Sequence, residues 1–174
     1  GIIGGAGYTG GEMIRLLMNH PQADISFVHS RSHAGALVSD VHGDLIGDTD
    51  MKFSAEVSSE IDALLLCVGH GEARAFLEEN DIPLQVKVID LSQDFRLAES
   101  NRIGERTFAY GLPEFNRDEI KIARNIANPG CVATAIQLGL LSLAKAGWLN
   151  EVHTTGITGS TGAGQKLQAT SHFS

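Results

Sequence analysis

The sequence has few cysteines, few basic residues and no long apolar run, and each scarcity argues against a class of protein. Two cysteines in 174 residues do not make the disulfide framework of a small secreted domain. The 13 lysines and arginines are outnumbered by 21 acidic residues, and the net charge of −8 offers no basic patch to a nucleic acid or an anionic membrane. No apolar stretch reaches the roughly 18 residues of a membrane-spanning helix, so neither a nucleic acid nor a membrane is an expected partner.

The sequence does contain short apolar runs that alternate with helical patterns, which predicts the βαβ units of a parallel sheet. Continuous runs such as ALLLCV (63–68) are typical of strands covered on both faces. The stretch between residues 92 and 125 has a weak pattern and is expected to form loops. The expected strands cover residues 2–3, 24–29, 63–68 and 86–91, and the expected helices cover residues 10–19, 72–80 and 131–146.

The predicted domain organisation has one boundary near residue 150. Residues 1–150 are expected to form the α/β domain, and a strand-like stretch at 152–157 is expected to open a second, α+β domain that occupies residues 151–174. The chain starts with Gly1 rather than methionine, residues 1–3 have the pattern of a strand end, and no stop pattern precedes Ser174. We therefore expect residues to be missing at both ends.

A cluster of glycines separates the first predicted strand from the first predicted helix. Residues 5–10 fit G-x-G-x-x-G, and Gly4, Gly7 and Gly10 fit the looser G-x-x-G-x-x-G. Glycines let the backbone approach a pyrophosphate, and the helix N-terminus offers N–H donors and partial positive charge to the same group. Because the motif lies between a strand and a helix, it predicts a Rossmann-type, doubly wound sheet that binds a dinucleotide. The alternative is a tight turn without a ligand.

The end of the second predicted strand favours NADP over NAD. NAD sites usually carry Asp or Glu there for the ribose 2′-hydroxyl, whereas this chain has Ser30 and Arg31. A guanidinium matches a 2′-phosphate, and no carboxylate is present to repel it. The alternative is that Arg31 is a solvated surface residue.

The two cysteines lie in different contexts. Cys67 belongs to an apolar strand and is expected to be a small buried hydrophobe without chemistry. Cys131 follows the turn Asn-Pro-Gly at 128–130 and begins a long helix, where the field of the helix end stabilises a thiolate. The alternative is a structural cysteine buried at a helix start. Beside a dinucleotide, a thiolate can attack an acyl carbon, and a hydride from NADPH can reduce the thioester to an aldehyde.

Six motifs follow one another over the whole chain: GGAGYTG (4–10), HSRSHAG (29–35), VIDLSQDFRL (88–97), YGLPE (110–114), NPGC (128–131) and GSTGAG (159–164). In content and order they resemble the N-acetyl-gamma-glutamyl-phosphate reductase family of the arginine pathway. The related aspartate-semialdehyde dehydrogenases share the fold and the thiol chemistry, but DLSQDFRL, YGLPE and NPGC favour the first family.

The resemblance implies that Cys131 displaces phosphate from an acyl phosphate and that NADPH reduces the resulting thioester to the semialdehyde. It places the second-strand end at the adenosine 2′-phosphate and residues 159–164 near the nicotinamide. The implied cofactor-binding residues are Gly4, Gly7, Tyr8, Thr9, Gly10, Ser30, Arg31, His70, Ser160 and Gly162.

Arg96, Asn128 and His70 are three of the candidate residues, and two of them have a second interpretation. Arg96 and Asn128 are proposed to contact the substrate phosphate or carboxylate, since a guanidinium fork suits oxyanions, but Arg96 would equally fit a surface salt bridge. His70 stands in Gly-His-Gly, where the family tends to have Pro-His-Gly, and it is expected either to line the cofactor cleft or to be a satisfied turn histidine. No metal site is expected.

The chain departs from the family pattern in two places. Val132 and Ala133 follow the cysteine where the family often has an aromatic residue and proline, which changes packing near the thiol more than the reaction. The family's acid/base histidine belongs to a His-x-Pro-Glu motif that these 174 residues lack, and neither His153 nor His172 stands in that context. We therefore expect a fragment that binds NADP(H), lacks most of the substrate domain and turns over poorly or not at all.

The resemblance further implies a cytoplasmic enzyme that takes a small-molecule acyl phosphate, releases phosphate and forms homo-oligomers largely through its second domain. Two alternatives stay open. One is a related semialdehyde dehydrogenase that acts on aspartyl phosphate or on a carrier-bound glutamyl or aminoadipyl phosphate. The other is a nucleotide-binding sensor or partner module without chemistry, in which the thiol of Cys131 is unremarkable.

Overall fold

The computed structural model describes residues 1–165, which form a parallel-rich sheet, the helices around it and a C-terminal helical segment. The strands are β1 (Ile2–Ile3), β2 (Val28–His29), β3 (Phe53–Ser54), β4 (Ala63–Leu66), β5 (Lys87–Asp90), β6 (Arg102–Ile103), β7 (Arg106–Tyr110) and β8 (Asn125–Ala127). The α-helices are α1 (Tyr8–Met18), α2 (Val38–Val41), α3 (Glu72–Glu79), α4 (Pro113–Ile122) and α5 (Cys131–Lys145), and short 3-10 helices cover Gly43–Leu45 and Ser160–Ala163.

The strand order is β3-β2-β1-β4-β5-β8-β7-β6, and only the β6–β7 pair is antiparallel. The chain moves outward from β1 through β2 to β3 and then crosses back to β4 on the other side of β1. This reversal between β1 and β4 is the topological switch point at which doubly wound sheets open a crevice beyond their carboxyl ends. The predicted Rossmann-type α/β class is confirmed, and the switch point fixes where a ligand crevice opens.

Two apolar cores cover the two faces of the sheet, as the continuous apolar runs predict. Neighbouring residues of a strand point to opposite faces, so Leu64 and Leu66 join one core while Leu65 joins the other. The first core lies under α3 and includes the stacked rings of Phe95 and Phe108, whose centroids are 4.1 Å apart. The second core lies under α1 and α2, and its buried members are Ile2, Ile14, Val28, Val38, Leu45, Phe53, Leu65 and Cys67.

The expectation of loops between residues 92 and 125 is wrong, since this stretch holds β6, β7 and α4. Strand β7 begins with an arginine, which hides its pattern, yet Arg106 is buried. Its guanidinium donates to the carbonyls of Val86, Ile82 and Pro83 and to Oδ1 of Asn125 at 2.7–3.1 Å. Helix α4 has no buried residue, and most of its side chains are polar or charged, so it does not stand out in the sequence. Strand β2 is also shorter than the predicted 24–29.

The strand predicted at 152–157 is wrong as well, because the structure has no regular element there and its side chains are exposed. A strand forms only when a neighbour pairs with its backbone, and no strand in residues 1–165 lies alongside this stretch. The helix predicted from residue 131 is present as α5, and it has no buried residue. Among the described residues, no helix is both long and apolar enough to cross a membrane.

Candidate functional site

The motifs picked out in the sequence meet at the carboxyl edge of the sheet. The glycine turn follows β1, residues 69–71 follow β4, and the NPGC motif follows β8. Together they border one open cleft of about 1090 Å³. Of the predicted site residues, this cleft is lined by Gly7, Tyr8, Thr9, His70, Arg96, Asn128, Cys131 and Gly162.

The turn contains glycine for two different physical reasons, close packing at some positions and open space beside the cleft at another. Gly4 has a φ of 78°, and a Cβ on it would lie 2.3 Å from the carbonyl oxygen of Cys67. A Cβ on Gly10 would lie 2.4 Å from the oxygen of Gly4, so helix α1 packs directly on the turn. A Cβ on Gly7 would meet only one atom, at an ordinary 3.5 Å. Packing therefore requires Gly4 and Gly10, whereas Gly7 is open toward the cleft.

The start of α1 is free of side-chain competition. Gly7 is its N-cap residue, and no side chain caps the helix. Tyr8 and Thr9 follow as the first exposed residues of the helix and line the cleft. The N–H groups and the partial positive charge at this end suit an anion.

The second-strand end borders a separate hollow of about 430 Å³, which Gly4, Ser30 and Arg31 line. Ser30 is buried, while Arg31 is exposed and forms no ion pair within residues 1–165. Val68 lines both this hollow and the main cleft, so the two are neighbours. Two carboxylates, Glu72 and Glu79, also line the hollow, and sequence reasoning did not anticipate them.

Cys131 is the first residue of α5 and is exposed on the main cleft. Gly130 is the N-cap residue, and no side chain within residues 1–165 accepts a capping hydrogen bond from the first N–H groups of the helix. Cys131 is therefore not the buried structural cysteine that the sequence left open as an alternative.

Arg96 is tied to the turn before the cysteine rather than to a surface carboxylate. Its Nε donates to the carbonyl of Asn128 and its Nη2 to the carbonyl of Leu91, both at 2.8 Å. A Cβ on Gly130 would lie 3.0 Å from Nη1 of the same guanidinium. Asn128 is exposed, and its backbone N–H donates to the carbonyl of Asp90 at 2.8 Å. The guanidinium thus holds the NPGC turn from inside.

The loop that carries Arg96 also holds the start of helix α3. Asp94 accepts from the backbone N–H of Gly71 at 2.6 Å and from that of Arg74 at 3.0 Å, which caps α3. His70 Nδ1 accepts from the N–H of Gln93 at 3.2 Å. Asp94 was missed in the sequence, although its place just beyond a buried strand within DLSQDFRL was the available signal.

The stretch 159–164 reaches the cleft in part. Gly162 lines the cleft together with Thr161, Gly164 and Gln165, whereas Ser160 does not line it. The side-chain amide of Gln165 donates to the carbonyl of Ala6 in the glycine turn at 3.2 Å. No pattern in the sequence predicts this contact between residues 159 positions apart. His172 lies outside the described residues.

Burial sets the ionisation of two groups behind the cleft. It raises the pKa of the Cys67 thiol to about 12, with a smaller contribution from the charge of Asp90. It also raises the pKa of the Asp90 carboxyl, against the opposing hydrogen bonds from the backbone N–H and hydroxyl of Ser92. Cys67 is thus a buried thiol, as its strand context predicts. Within residues 1–165, no three His, Cys, Asp or Glu side chains are placed to share a metal ion.

The family model described as "Semialdehyde dehydrogenase, NAD binding domain" matches residues 1–123. The chain belongs to the semialdehyde dehydrogenase family. A second model of this semialdehyde dehydrogenase family, its dimerisation domain, matches residues 131–174 and begins at the cysteine. The predicted boundary near residue 150 stays a prediction.

Two curated relatives of the chain share one name. A protein of Parabacteroides distasonis is 54% identical over all of this chain and 53% of its own length, and it is named N-acetyl-gamma-glutamyl-phosphate reductase. A protein of Flavobacterium johnsoniae with the same name is 53% identical over all of this chain and 54% of its own length. The chain spans about half the length of the curated relatives it matches.

Solved structures share the fold at lower identity. Aspartate semialdehyde dehydrogenase II of Vibrio cholerae, complexed with ASA, has a TM-score of 0.63 at 21% identity and covers 94% of this chain and 47% of its own. The Candida albicans aspartate semialdehyde dehydrogenase with NADP has a TM-score of 0.57 at 15% identity over 85% of this chain and 47% of its own. These likenesses support the fold of the semialdehyde dehydrogenase.

Proposed function

We propose that the chain holds the cofactor site and the nucleophile of an NADPH-dependent reductase that converts N-acetyl-gamma-glutamyl phosphate to N-acetylglutamate semialdehyde and phosphate, in the cytoplasm. The observation that carries this proposal is the exposed Cys131 at the start of α5, on the same cleft as the glycine turn. The curated relatives' shared name supports the choice of substrate. Their greater length makes the activity a property of a longer protein.

In the proposed reaction, the thiolate of Cys131 attacks the acyl carbon of the substrate. A carbon–sulfur bond forms, and the carbon–oxygen bond to phosphate breaks with its electron pair leaving on phosphate. A nicotinamide held beside His70 and Gly162 would supply the hydride that reduces the thioester carbon. The carbon–sulfur bond then breaks, which releases the aldehyde and restores the thiolate of Cys131. Cys131 is the first residue of α5, so its sulfur belongs to the helix end that carries the partial positive charge.

The residues present fit a dinucleotide. Gly7 leaves open the space that a Cβ would fill beside the N-terminus of α1, which suits a pyrophosphate. Ser30 and Arg31 in the adjoining hollow would hold an adenosine 2′-phosphate, so NADP is the proposed cofactor. The carboxylates of Glu72 and Glu79 would lie near the adenosine rather than define the phosphate site. His70 and Gly162 would line the nicotinamide side.

Arg96 and Asn128 are proposed to serve the substrate in different ways. Two arms of the guanidinium are taken by backbone carbonyls, so Arg96 supports the turn before Cys131 and has Nη1 left for a substrate oxygen. Asn128 is exposed on the cleft, and its amide would contact the phosphate or carboxylate. The enzyme is proposed to form homo-oligomers, in keeping with the dimerisation model that begins at Cys131.

Acyl transfer to the chain tests the proposal directly. Mixed with N-acetyl-gamma-glutamyl phosphate, the protein should gain one acyl group, which peptide mapping by mass spectrometry should place on Cys131. The variant Cys131→Ser should form no thioester, and NADPH should bind more tightly than NADH.

Each alternative has its own outcome in this experiment. Acylation by β-aspartyl phosphate in preference to the N-acetylglutamyl compound would assign the chain to a related semialdehyde dehydrogenase. Binding of NADPH without any acylation would leave a nucleotide-binding module. Since the chain lacks His-x-Pro-Glu, it should bind NADP(H) yet turn over poorly alone, and full specific activity from these 174 residues would contradict that part.

A further inference from the structure

A buried histidine lies behind the glycine turn and has no part in the proposed chemistry. His42 follows α2 and is 6% exposed. Its Nε2 is 2.8 Å from the carbonyl oxygen of Gly5. A carbonyl oxygen only accepts, so Nε2 carries the proton and donates. The ring also lies against Phe53, with centroids 6.4 Å apart, which fixes its position in the second core.

The first turn of α1 makes room for this ring. A Cβ on Gly11 would lie 2.5 Å from Cε1 and 2.7 Å from Nδ1 of His42. Both are ring atoms that belong to a packed core, so neither can move aside at low cost. Glycine at position 11 is therefore explained by the histidine and not by the backbone, since Gly11 lies within a helix.

The hydrogen bond acts on one peptide unit of the turn. Because a trans peptide is planar, holding the carbonyl of Gly5 toward His42 directs the N–H of Ala6 to the opposite side. A glycine on one side of this peptide makes its rotation easy, and rotation would turn the carbonyl oxygen of Gly5 away from His42 and the N–H of Ala6 toward it. A fixed donor behind the turn prevents this.

We propose that His42 is a positioning residue that orients the Gly5–Ala6 peptide for the pyrophosphate of the cofactor, and that Gly11 is the glycine that admits its ring. The proposal rests on the proposed NADPH site. It concerns the pyrophosphate because the peptide adjoins Gly7, which lines the main cleft, whereas neither Ala6 nor Gly7 lines the hollow of Ser30 and Arg31.

Two ligands separate this role from a general structural one. NADPH carries the pyrophosphate, whereas adenosine 2′-monophosphate would use only the hollow at the second-strand end. His42→Phe keeps a ring of similar size and removes the donor, so it should weaken NADPH binding roughly ten- to a hundredfold. The affinity for adenosine 2′-monophosphate should stay within about twofold. His42→Gln can still present an N–H and should recover most of the NADPH affinity.

A double-mutant cycle tests the link to Gly11. Gly11→Ala should weaken NADPH binding as His42→Phe does, because the new methyl group displaces the ring. In the His42→Ala background the ring is gone, and Gly11→Ala should then cost little more.

The outcomes of these experiments test the role of His42 separately from the proposed NADPH site. Unchanged NADPH binding in His42→Phe, equal losses for both ligands, or additive effects of the two substitutions would overturn the role of His42. Wild-type protein that binds neither ligand would overturn the proposed cofactor site instead. Binding can be measured by titration calorimetry, with thermal unfolding of each variant as the control for folding.

Discussion

The sheet region, residues 1–127, and the α5 region, residues 131–165, are built in opposite ways. The sheet region buries many large apolar side chains in two cores, one on each face of the sheet, although others such as Ile46 and Ile122 are exposed. The α5 region is at least as apolar along its helix, yet no residue of α5 is buried. Its exposed large apolar side chains are Val132, Leu138, Leu143, Trp148, Val152 and Ile157.

The difference teaches which part of the chain stabilises itself. Burial of one large apolar side chain stabilises the folded state by about 1.5–3 kcal/mol. Many side chains of the sheet region contribute this stabilisation, whereas the α5 region contributes little. The α5 region is joined to the sheet region by contacts such as the hydroxyl of Tyr110, which donates to Oε1 of Gln137 at 3.0 Å. The proposed nucleophile, Cys131, therefore belongs to the region with fewer buried contacts of its own.

The largest expected contrast is between the two thiols. Burial raises the pKa of Cys67 to about 12, against roughly 8.5 for a free cysteine, so its thiolate fraction at neutral pH is lower by about three orders of magnitude. Iodoacetamide at about pH 7 should therefore alkylate Cys131 and spare Cys67. Mass spectrometry of the intact protein should show one adduct.

Two variants sharpen this contrast. Cys67→Ala should still take one adduct, and Cys131→Ala should take none under the same conditions. Rapid labelling of Cys67 in native protein would mean that the sheet region opens far more readily than its packing implies.

A matched pair of helix glycines is expected to change the free energy of unfolding in opposite directions. Gly10→Ala brings a methyl group to 2.4 Å and 2.6 Å from backbone atoms of Gly4 and Gly5, so it should cost about 1–3 kcal/mol or more of unfolding free energy. Gly139→Ala in α5 meets nothing among the described residues and should stabilise by about 0.5–1 kcal/mol. Urea unfolding of both variants measures the two signs. Equal destabilisation would show that α5 is packed as tightly as α1.

A pair of leucines tests the same comparison through apolar contacts. Leu66 is fully buried in β4, and Leu66→Ala should destabilise by about 2–5 kcal/mol. Leu138 is 44% exposed in α5, and Leu138→Ala should change the unfolding free energy by about 0.5 kcal/mol or less. The check is the shift in urea midpoint at constant slope. A large loss for Leu138 would mean that the α5 region buries its leucines in solution.

The smallest expected effects concern how the free energy of unfolding depends on pH, and they come from two carboxyl groups of the sheet region, Asp90 and Asp44. Burial raises the pKa of Asp90 above its ordinary 3.8, so the folded state holds this proton more firmly than the unfolded state. The Asp90 carboxyl therefore contributes to the free energy of unfolding below its ordinary pKa, and this contribution is lost as the pH rises through the raised pKa. Asp90→Asn should remove this loss, as seen in urea unfolding between about pH 3 and 8.

Asp44 provides the opposite sign for comparison. Its hydrogen bond with Arg15 lowers its pKa from 3.8 to about 2, so its contribution is present above the ordinary value and is lost as pH falls toward 2. In the plot of unfolding free energy against pH, Asp44→Asn should reduce the slope only on the acid side. An effect of either substitution on the wrong side of the pH curve would contradict the assigned shift.

The sequence was most informative where one residue type does one job. Glycines between a strand and a helix, and a cysteine after Pro-Gly at a helix start, pointed to a cleft that the structure assembles from both. It was least informative where structure depends on distant partners. Arg106 disguises a strand because its four acceptors come from residues 82–125, and residues 152–157 have strand composition without a neighbour to pair with. His42 could not be linked to Gly5 from 37 positions away.

Asp94 and Arg96 stand two positions apart on one short loop, one fastened to the head of α3 and the other to the turn that presents the sulfur. The distance between the start of α3 and the turn before Cys131 is thus set by the single residue between Asp94 and Arg96. A one-residue insertion at position 95 would change that distance, and it would also displace Phe95 from the first core.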